Sequence, residues 1–439
     1  MRTPPFIAQL LTTSLMGVVI GLSWGWGKQA ATQEVPAQPA LPTSEPPASP
    51  TPEQPAPSAV SAEFLVLAGG GAPHYNEIAL EKNVRYFQRT LDALGINLSS
   101  TRQYFANGND GQPTVRYINR VGQEQFKPPE IANLDGPATV DNAQTWFEDL
   151  AQKPSPCPAF FYFTGHGAYN NENPENNAMI LWEEKLVSVQ QLSSWLDQLP
   201  PDQPFVTMMA QCFSGSFANL IYEQGNPENP VALQTRCGFF ATVAERPSVG
   251  CTPAVNEADY RDYSSSFFAG LSGVDRVGNA VVSADYNTDG TVSYAEAHAF
   301  AKVDKETTDW PVSTAEVWLQ KQASEEKIAE IFAQPMEDWI AAAQPQRQYV
   351  IRALSEKLEL DLTQSYAAQM PPTDFESVTG AYWVRLGMEL TNIAMIQEIN
   401  QTGSAETKAV LDRLLNCENG SFPKAEATAM LPPARANLN

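Results

Sequence analysis

His166 and Cys212 are the two side chains in this sequence whose types and placement could do chemistry together. One of only three histidines, His166 lies in Thr164-Gly165-His166-Gly167, and Cys212 lies in Gln211-Cys212-Phe213-Ser214-Gly215-Ser216. A cysteine beside an imidazolium and a helix N-terminus becomes a thiolate at neutral pH, and a thiolate attacks carbonyl carbon. The small residues around both positions let a substrate backbone come close. Each block follows a short apolar run, 159–163 and 205–210, without strict alternation, which predicts strands buried on both faces. Between them Ser188 and Gln191 have capping-box spacing, Val189, Leu192, Leu196 and Leu199 form one apolar stripe, and Pro200-Pro201 ends it. Strand, helix and strand read as a right-handed parallel crossover. That unit puts His166 and Cys212 past the carboxyl ends of neighbouring strands about 5 Å apart, where open α/β sheets hold their sites. The alternative for each residue is structural: a small buried thiol and a packed imidazole.

The blocks Tyr162-Phe163-Thr164-Gly165-His166-Gly167 and Gln211-Cys212-Phe213-Ser214-Gly215-Ser216 resemble the His-Gly and Cys-x-Ser-Gly-Ser motifs of the legumain family, which belongs to the caspase-like cysteine peptidases. The gap of 46 residues between the two is also similar. The likeness runs from about Phe64 to Leu271 and includes Phe240-Ala241-Thr242-Val243-Ala244, Cys251 and Asp262-Tyr263-Ser264, which resemble the segment that shapes the primary specificity pocket. It implies an α/β fold with a caspase-like, mostly parallel sheet and helices on both faces. It also implies Cys212 as nucleophile, His166 as proton carrier, and an oxyanion hole from the amides of Gly167 and Cys212. Ser248 and Asp262 match pocket positions, and Gln211 joins them as a substrate contact. Two departures stand out. Ala210 occupies a position that is acidic in legumains, and Gly71 stands nearest to the asparagine that orients their histidine; His74 and Asn76 are the polar residues beside it.

The chain has 439 residues, with 27 Lys and Arg against 50 Asp and Glu, a formal charge of −23. That excess argues against a nucleic-acid partner, which needs a basic face, and favours solubility and cations. Residues 3–27 carry no charge, so 1–30 reads as a signal peptide or an N-terminal membrane anchor, and the body as exported. Trp24 and Trp26 suit a membrane interface, whereas Gly25-Trp26-Gly27 suits cleavage. A Pro-rich linker follows at 31–62, then a peptidase domain at 63–313, a helical region at 314–420 and a disordered tail at 421–439. Strands are expected at 63–68, 101–105, 237–244 and 280–284, with a polar loop of about thirty residues after Phe105. Gly69-Gly70-Gly71 is not a dinucleotide loop, because His74 takes the place of the third glycine. The expected partner is a peptide or protein substrate, without an organic cofactor; the oligomeric state stays open.

Asp285, Asn287, Asp289, Gly290, Thr291, Ser293 and Glu296 match a calcium loop: oxygen ligands at the first, third, fifth and ninth positions, glycine at the sixth and glutamate at the twelfth. A structural Ca²⁺ is expected, with the Thr291 carbonyl as a further ligand; the alternative is an Asp-Gly turn that caps a helix. Cys237 and Cys251, with thirteen residues between them, are candidates for a disulfide in an exported chain, or are two separate buried thiols. Two rivals to an endopeptidase are a non-catalytic, calcium-stabilised binding module and a cysteine transpeptidase or ligase.

Overall fold

The two apolar runs that frame the histidine and the cysteine are adjacent central strands. The computed structural model describes residues 63–97, 101–155, 157–304 and 306–422. The expected N-terminal segment, the linker and nearly all of the tail lie outside them. The strands are β1 (Phe64–Gly69), β2 (Thr101–Phe105), β3 (Val115–Ile118), β4 (Glu124–Lys127), β5 (Ala159–Ala168), β6 (Ala178–Leu181), β7 (Lys185–Ser188), β8 (Phe205–Met209), β9 (Arg236–Phe240) and β10 (Val312–Ser313). The main sheet runs β10-β9-β8-β5-β1-β2, parallel except for the β10 edge. The protein is thus α/β, with a mostly parallel mixed sheet between helices.

Alternation along each strand feeds two cores. Leu65, Leu67, Phe161, Phe163, Phe205 and Met209 face one side, where α2 (Val140–Gln152) and α3 (Val189–Leu196) pack. Phe64, Val66, Phe160, Tyr162, Val206 and Met208 face the other, covered by α1 (Ile78–Ala93), α4 (Tyr263–Ser272) and α5 (Tyr294–Asp304). The Ser188 hydroxyl caps α3 by accepting from Gln191 N at 3.2 Å, as its spacing predicts. The helical region forms α6 (Thr314–Gln322), α7 (Glu325–Phe332), α8 (Met336–Ala342), α9 (Pro345–Lys357), α10 (Val378–Thr402) and α11 (Ala405–Glu418). Its apolar residues share one core with α2, α3 and the sheet.

Several expectations need correction. The strand carrying the histidine does not stop at Phe163. Beyond its parallel pairing it continues as an antiparallel ribbon, so His166 lies opposite Ile180 of β6. Residues 280–284 form no strand; Ala280 makes a single antiparallel bridge to Val274. The polar stretch after Phe105 contains the β3–β4 hairpin. Cys237 pairs with Cys417 of α11, not with Cys251, and the two Cα atoms are 6.0 Å apart. Phe422, at the start of the expected disordered tail, is buried against Phe64, Phe160 and Tyr294. Among the described residues no helix is long and apolar enough to cross a membrane.

Candidate active site

Pairing of β5 with β8 brings the two sequence blocks together beyond the carboxyl ends of the strands. The contact is backbone against backbone: a Cβ on Gly167 would fall 2.0 Å from the Cys212 carbonyl oxygen, and one on Gly165 would fall 2.7 Å from that of Gly69. Glycine at both places is therefore a requirement of the approach. Phe213, just after the cysteine, has φ of 60°, a left-handed conformation that costs a non-glycine residue roughly 1 kcal/mol. This sharp turn sends the chain into a 3₁₀ helix, Ser214–Ile221, where the sequence suggested the start of a helix.

The group that orients His166 is Glu77. Its Oε2 lies 3.0 Å from His166 Nε2, and its Oε1 accepts from Arg116 Nη2 at 2.7 Å. Burial pushes the Glu77 carboxyl up, but the bonds from His166 and Arg116 outweigh it and hold the group below its ordinary range. Tyr75 meets the imidazole edge to face, with ring centres 5.3 Å apart. The two nearby candidates do other things. Asn76 is buried and ties the glycine turn to the next hairpin, accepting from Gly70 N and donating to the Thr114 carbonyl. His74 meets Tyr75 edge to face, with ring centres 4.5 Å apart. Glu77 escaped the sequence reading, yet a signal was present: it occupies the N-cap of α1, a position that favours Ser, Thr, Asp or Asn.

Cys212 meets the pocket segment rather than a cation. Ser248 N donates to its Sγ at 3.3 Å, and the thiol points at the Ser248 carbonyl at 3.6 Å. Desolvation pushes the thiol above its usual range; the Ser248 amide opposes this and the Asp309 carboxylate adds to it. The expectation of a resting thiolate is therefore overturned: burial and a nearby anion favour the neutral form.

Ser248 and Asp262 both lie in this region, held in different ways. The Ser248 hydroxyl donates to Asp309 Oδ2 at 2.9 Å, and Val249 N donates to Asp309 Oδ1 at 3.0 Å. Asp309 is buried, and among the described residues no cationic side chain pairs with its carboxylate; desolvation raises that carboxyl to about 7. Arg385 of α10 grips the chain at that point, donating to the carbonyls of Asp309, Lys302 and Thr307. Asp262 is buried and accepts from Arg276 and Ser265 through Oδ1, while its Oδ2 has no partner. Gly250 packs on it: a Cβ there would meet Asp262 Cβ at 2.5 Å. Gln211 is buried with neither amide atom bonded. Asp309, 97 residues after the cysteine, carries no sequence motif that would have marked it.

The calcium-type loop has the expected backbone, with Gly290 at φ of 82°. Asp285 accepts from Asp289 N and Gly290 N, and Asp289 Oδ1 accepts from Thr291 N. Glu296 accepts from Tyr286 N and Asn287 N through one oxygen and from Ser293 through the other, while the Ser293 hydroxyl accepts from Glu296 N. The donor types suit a hard cation, but the loop carboxylates do not converge, and the last pair forms a capping box for α5.

No protein-family model matches the chain, and no curated protein matches it.

Proposed function

We propose that the protein is a cysteine endopeptidase of the caspase-like, legumain-similar type. The observation that carries this reading is the approach of the two short blocks at the ends of β5 and β8, with a buried carboxylate behind the histidine. Glu77 takes the Nε2 proton of His166 as a hydrogen bond and leaves Nδ1 free to accept. Because the thiol rests neutral, its proton passes to Nδ1 as sulfur attacks the peptide carbonyl. The amides of Gly167 and Cys212 would hold the oxyanion. His166 then protonates the departing amine, and water releases the acyl group. A neutral resting thiol also fits an enzyme whose nucleophile is activated only when substrate displaces water. Gln211, next to the cysteine, and Asp262 each keep buried polar atoms unbonded, which favours a polar substrate side chain, while the Ser248 hydroxyl is held by Asp309.

The test is peptide-library cleavage by the full chain. Cys212→Ala and His166→Ala are each expected to lose at least about 10³-fold in kcat/KM with an unchanged melting temperature. Full activity in the alanine variant at position 212 refutes the reading. Adding amine nucleophiles distinguishes hydrolysis from transpeptidation, and an inert Cys212 supports a binding module.

We also propose that Asp285, Asn287, Asp289, Thr291, Ser293 and Glu296 bind a structural Ca²⁺, because these oxygen donors have the spacing of a calcium loop and Gly290 has the positive φ that such a loop needs at its sixth position. Calcium at a hundredfold excess over its dissociation constant would add about 2.7 kcal/mol of stability. Equal melting temperatures in chelator and in millimolar calcium leave only the helix cap.

A further inference from the structure

Cys251 belongs neither to the proposed dyad nor to a disulfide. It is exposed, and its sulfur reaches back to 3.8 Å from the Gly165 carbonyl, one residue before the histidine. Glu77, His166 and Cys251 each present a ligand atom here, all within 4.8 Å of one another. Among the described residues no other group of three His, Cys, Asp or Glu side chains does so.

We propose that Glu77, His166 and Cys251 form a Zn²⁺ site that switches the peptidase off. The inhibition rests on the peptidase reading; the binding does not. Thiolate, imidazole and carboxylate are the three ligand types zinc takes, and three protein ligands with an open fourth position are a common zinc arrangement. Zinc bonds of about 2.0–2.3 Å put tetrahedral ligand atoms roughly 3.5 Å apart, so the group needs to tighten by about 1 Å. Two features favour that closure. The far oxygen of Glu77 is already fixed by Arg116, an outer contact that aims the near one. The loop that carries Cys251 is also flanked by acids, Asp309 bonded to Ser248 and Val249 and Asp262 packed on Gly250, and acidic groups attract a dication. Bound as a thiolate, Cys251 selects zinc over calcium or magnesium.

The consequence for His166 follows from its tautomer. The nitrogen that faces Glu77 is Nε2, and zinc bound there displaces its proton. A neutral imidazole then carries its proton on Nδ1, the atom that must accept from Cys212. The Cys251 thiol proton goes to solvent, and no electron changes hands. Zinc therefore blocks the base without touching the nucleophile.

The experiment uses the full chain after chelation and dialysis. Co²⁺ titration should give a near-ultraviolet thiolate-to-cobalt band in the wild type and in Cys212→Ala, and none in Cys251→Ser. Zinc should inhibit cleavage by the wild type, whereas half-inhibition of Cys251→Ser should need at least about tenfold more zinc. Zinc inhibition of each variant is read against that variant's own metal-free rate; Cys251→Ala is the second variant should the first misfold. A cobalt band that survives Cys251→Ser, or is lost in Cys212→Ala, overturns the site. Equal zinc sensitivity of wild type and Cys251→Ser overturns the inhibition. A cobalt band without any peptide cleavage retains the site and removes the peptidase reading instead.

Discussion

In the helical region, buried charges meet buried partners. Lys302 of α5 bonds Glu316 of α6 and Glu389 of α10, and Arg347 of α9 bonds both carboxylates as well. His298 completes the group between Glu316 and the Tyr263 hydroxyl. In the crevice, burial is as deep but partners are missing. Asp309 has only a hydroxyl and an amide, Asp262 Oδ2 has nothing, and Gln211 has nothing. The first cluster joins helices α5, α6, α9 and α10 and specifies how they dock. The second leaves hydrogen-bonding capacity unused beside a cysteine. Buried polar atoms without partners also occur elsewhere, Arg347 Nε among them, so it is the place of Gln211 beside Cys212 that suits these to a ligand group.

Breaking the compensated cluster should have the largest effect. Glu389→Ala leaves Lys302 and Arg347 to share Glu316 alone. Loss of one partner from a buried ion group costs about 3–5 kcal/mol. Urea denaturation should show that loss, while kcat of the folded fraction stays at the wild-type value. A change below about 1 kcal/mol would mean that the neighbouring glutamates absorb the charge, and the contrast between the clusters would weaken.

The next effect belongs to the crevice. Glu77→Gln keeps the side-chain length but replaces a carboxylate that accepts from His166 by a neutral amide. It should lower kcat about tenfold or more, with little change in KM, because the loss is in the orientation of the proton carrier. Glu77→Gln loses that orientation through the wrong amide or tautomer, whereas a purely structural role would lower the melting temperature at constant kcat. An unchanged kcat removes Glu77 from the mechanism.

How far the sequence reveals these two clusters follows from the range of the interactions. The strands around His166 and Cys212 are legible because burial on both faces leaves short apolar runs, and α3 because a cap and a stripe are local. The Cys237–Cys417 bridge spans 180 residues, and nothing in its spacing points from one cysteine to the other. Glu77 reaches His166 across 89 residues, so only its odd N-cap placement could have marked it. The partners of Lys302 come from helices whose order in space the sequence does not state. Residues 280–284 show the converse: a β-favouring run that makes only the one bridge from Ala280 to Val274.

The smallest effects come from Asp309 and have a definite sign. Its carboxyl titrates at about 7 when folded and has an ordinary value of 3.8, because burial outweighs the bonds from Val249 and Ser248 and the field of Arg385, with Asp262 adding to the rise. Between those values the folded chain binds more protons than the unfolded one. The contribution is therefore full below about pH 4 and is lost as pH rises through 7, at roughly 1.4 kcal/mol per unit. Glu418, which caps α6 through Ser313, Thr314 and Ala315, is also raised by burial to about 7 and has the same sign. The wild type should thus lose stability from pH 5 to pH 7. Asp309→Asn can still accept from Val249 and face Ser248, and it should remove about half of that slope while Glu418 retains the rest. The same substitution deletes an anion that raises the Cys212 thiol, so alkylation of Cys212 at pH 7 should become a few-fold faster. Denaturation across pH and the iodoacetamide rate measure the two consequences separately. A halved slope with unchanged alkylation would place Asp309 in the fold alone, and the crevice would then owe its character to Gln211 and Asp262.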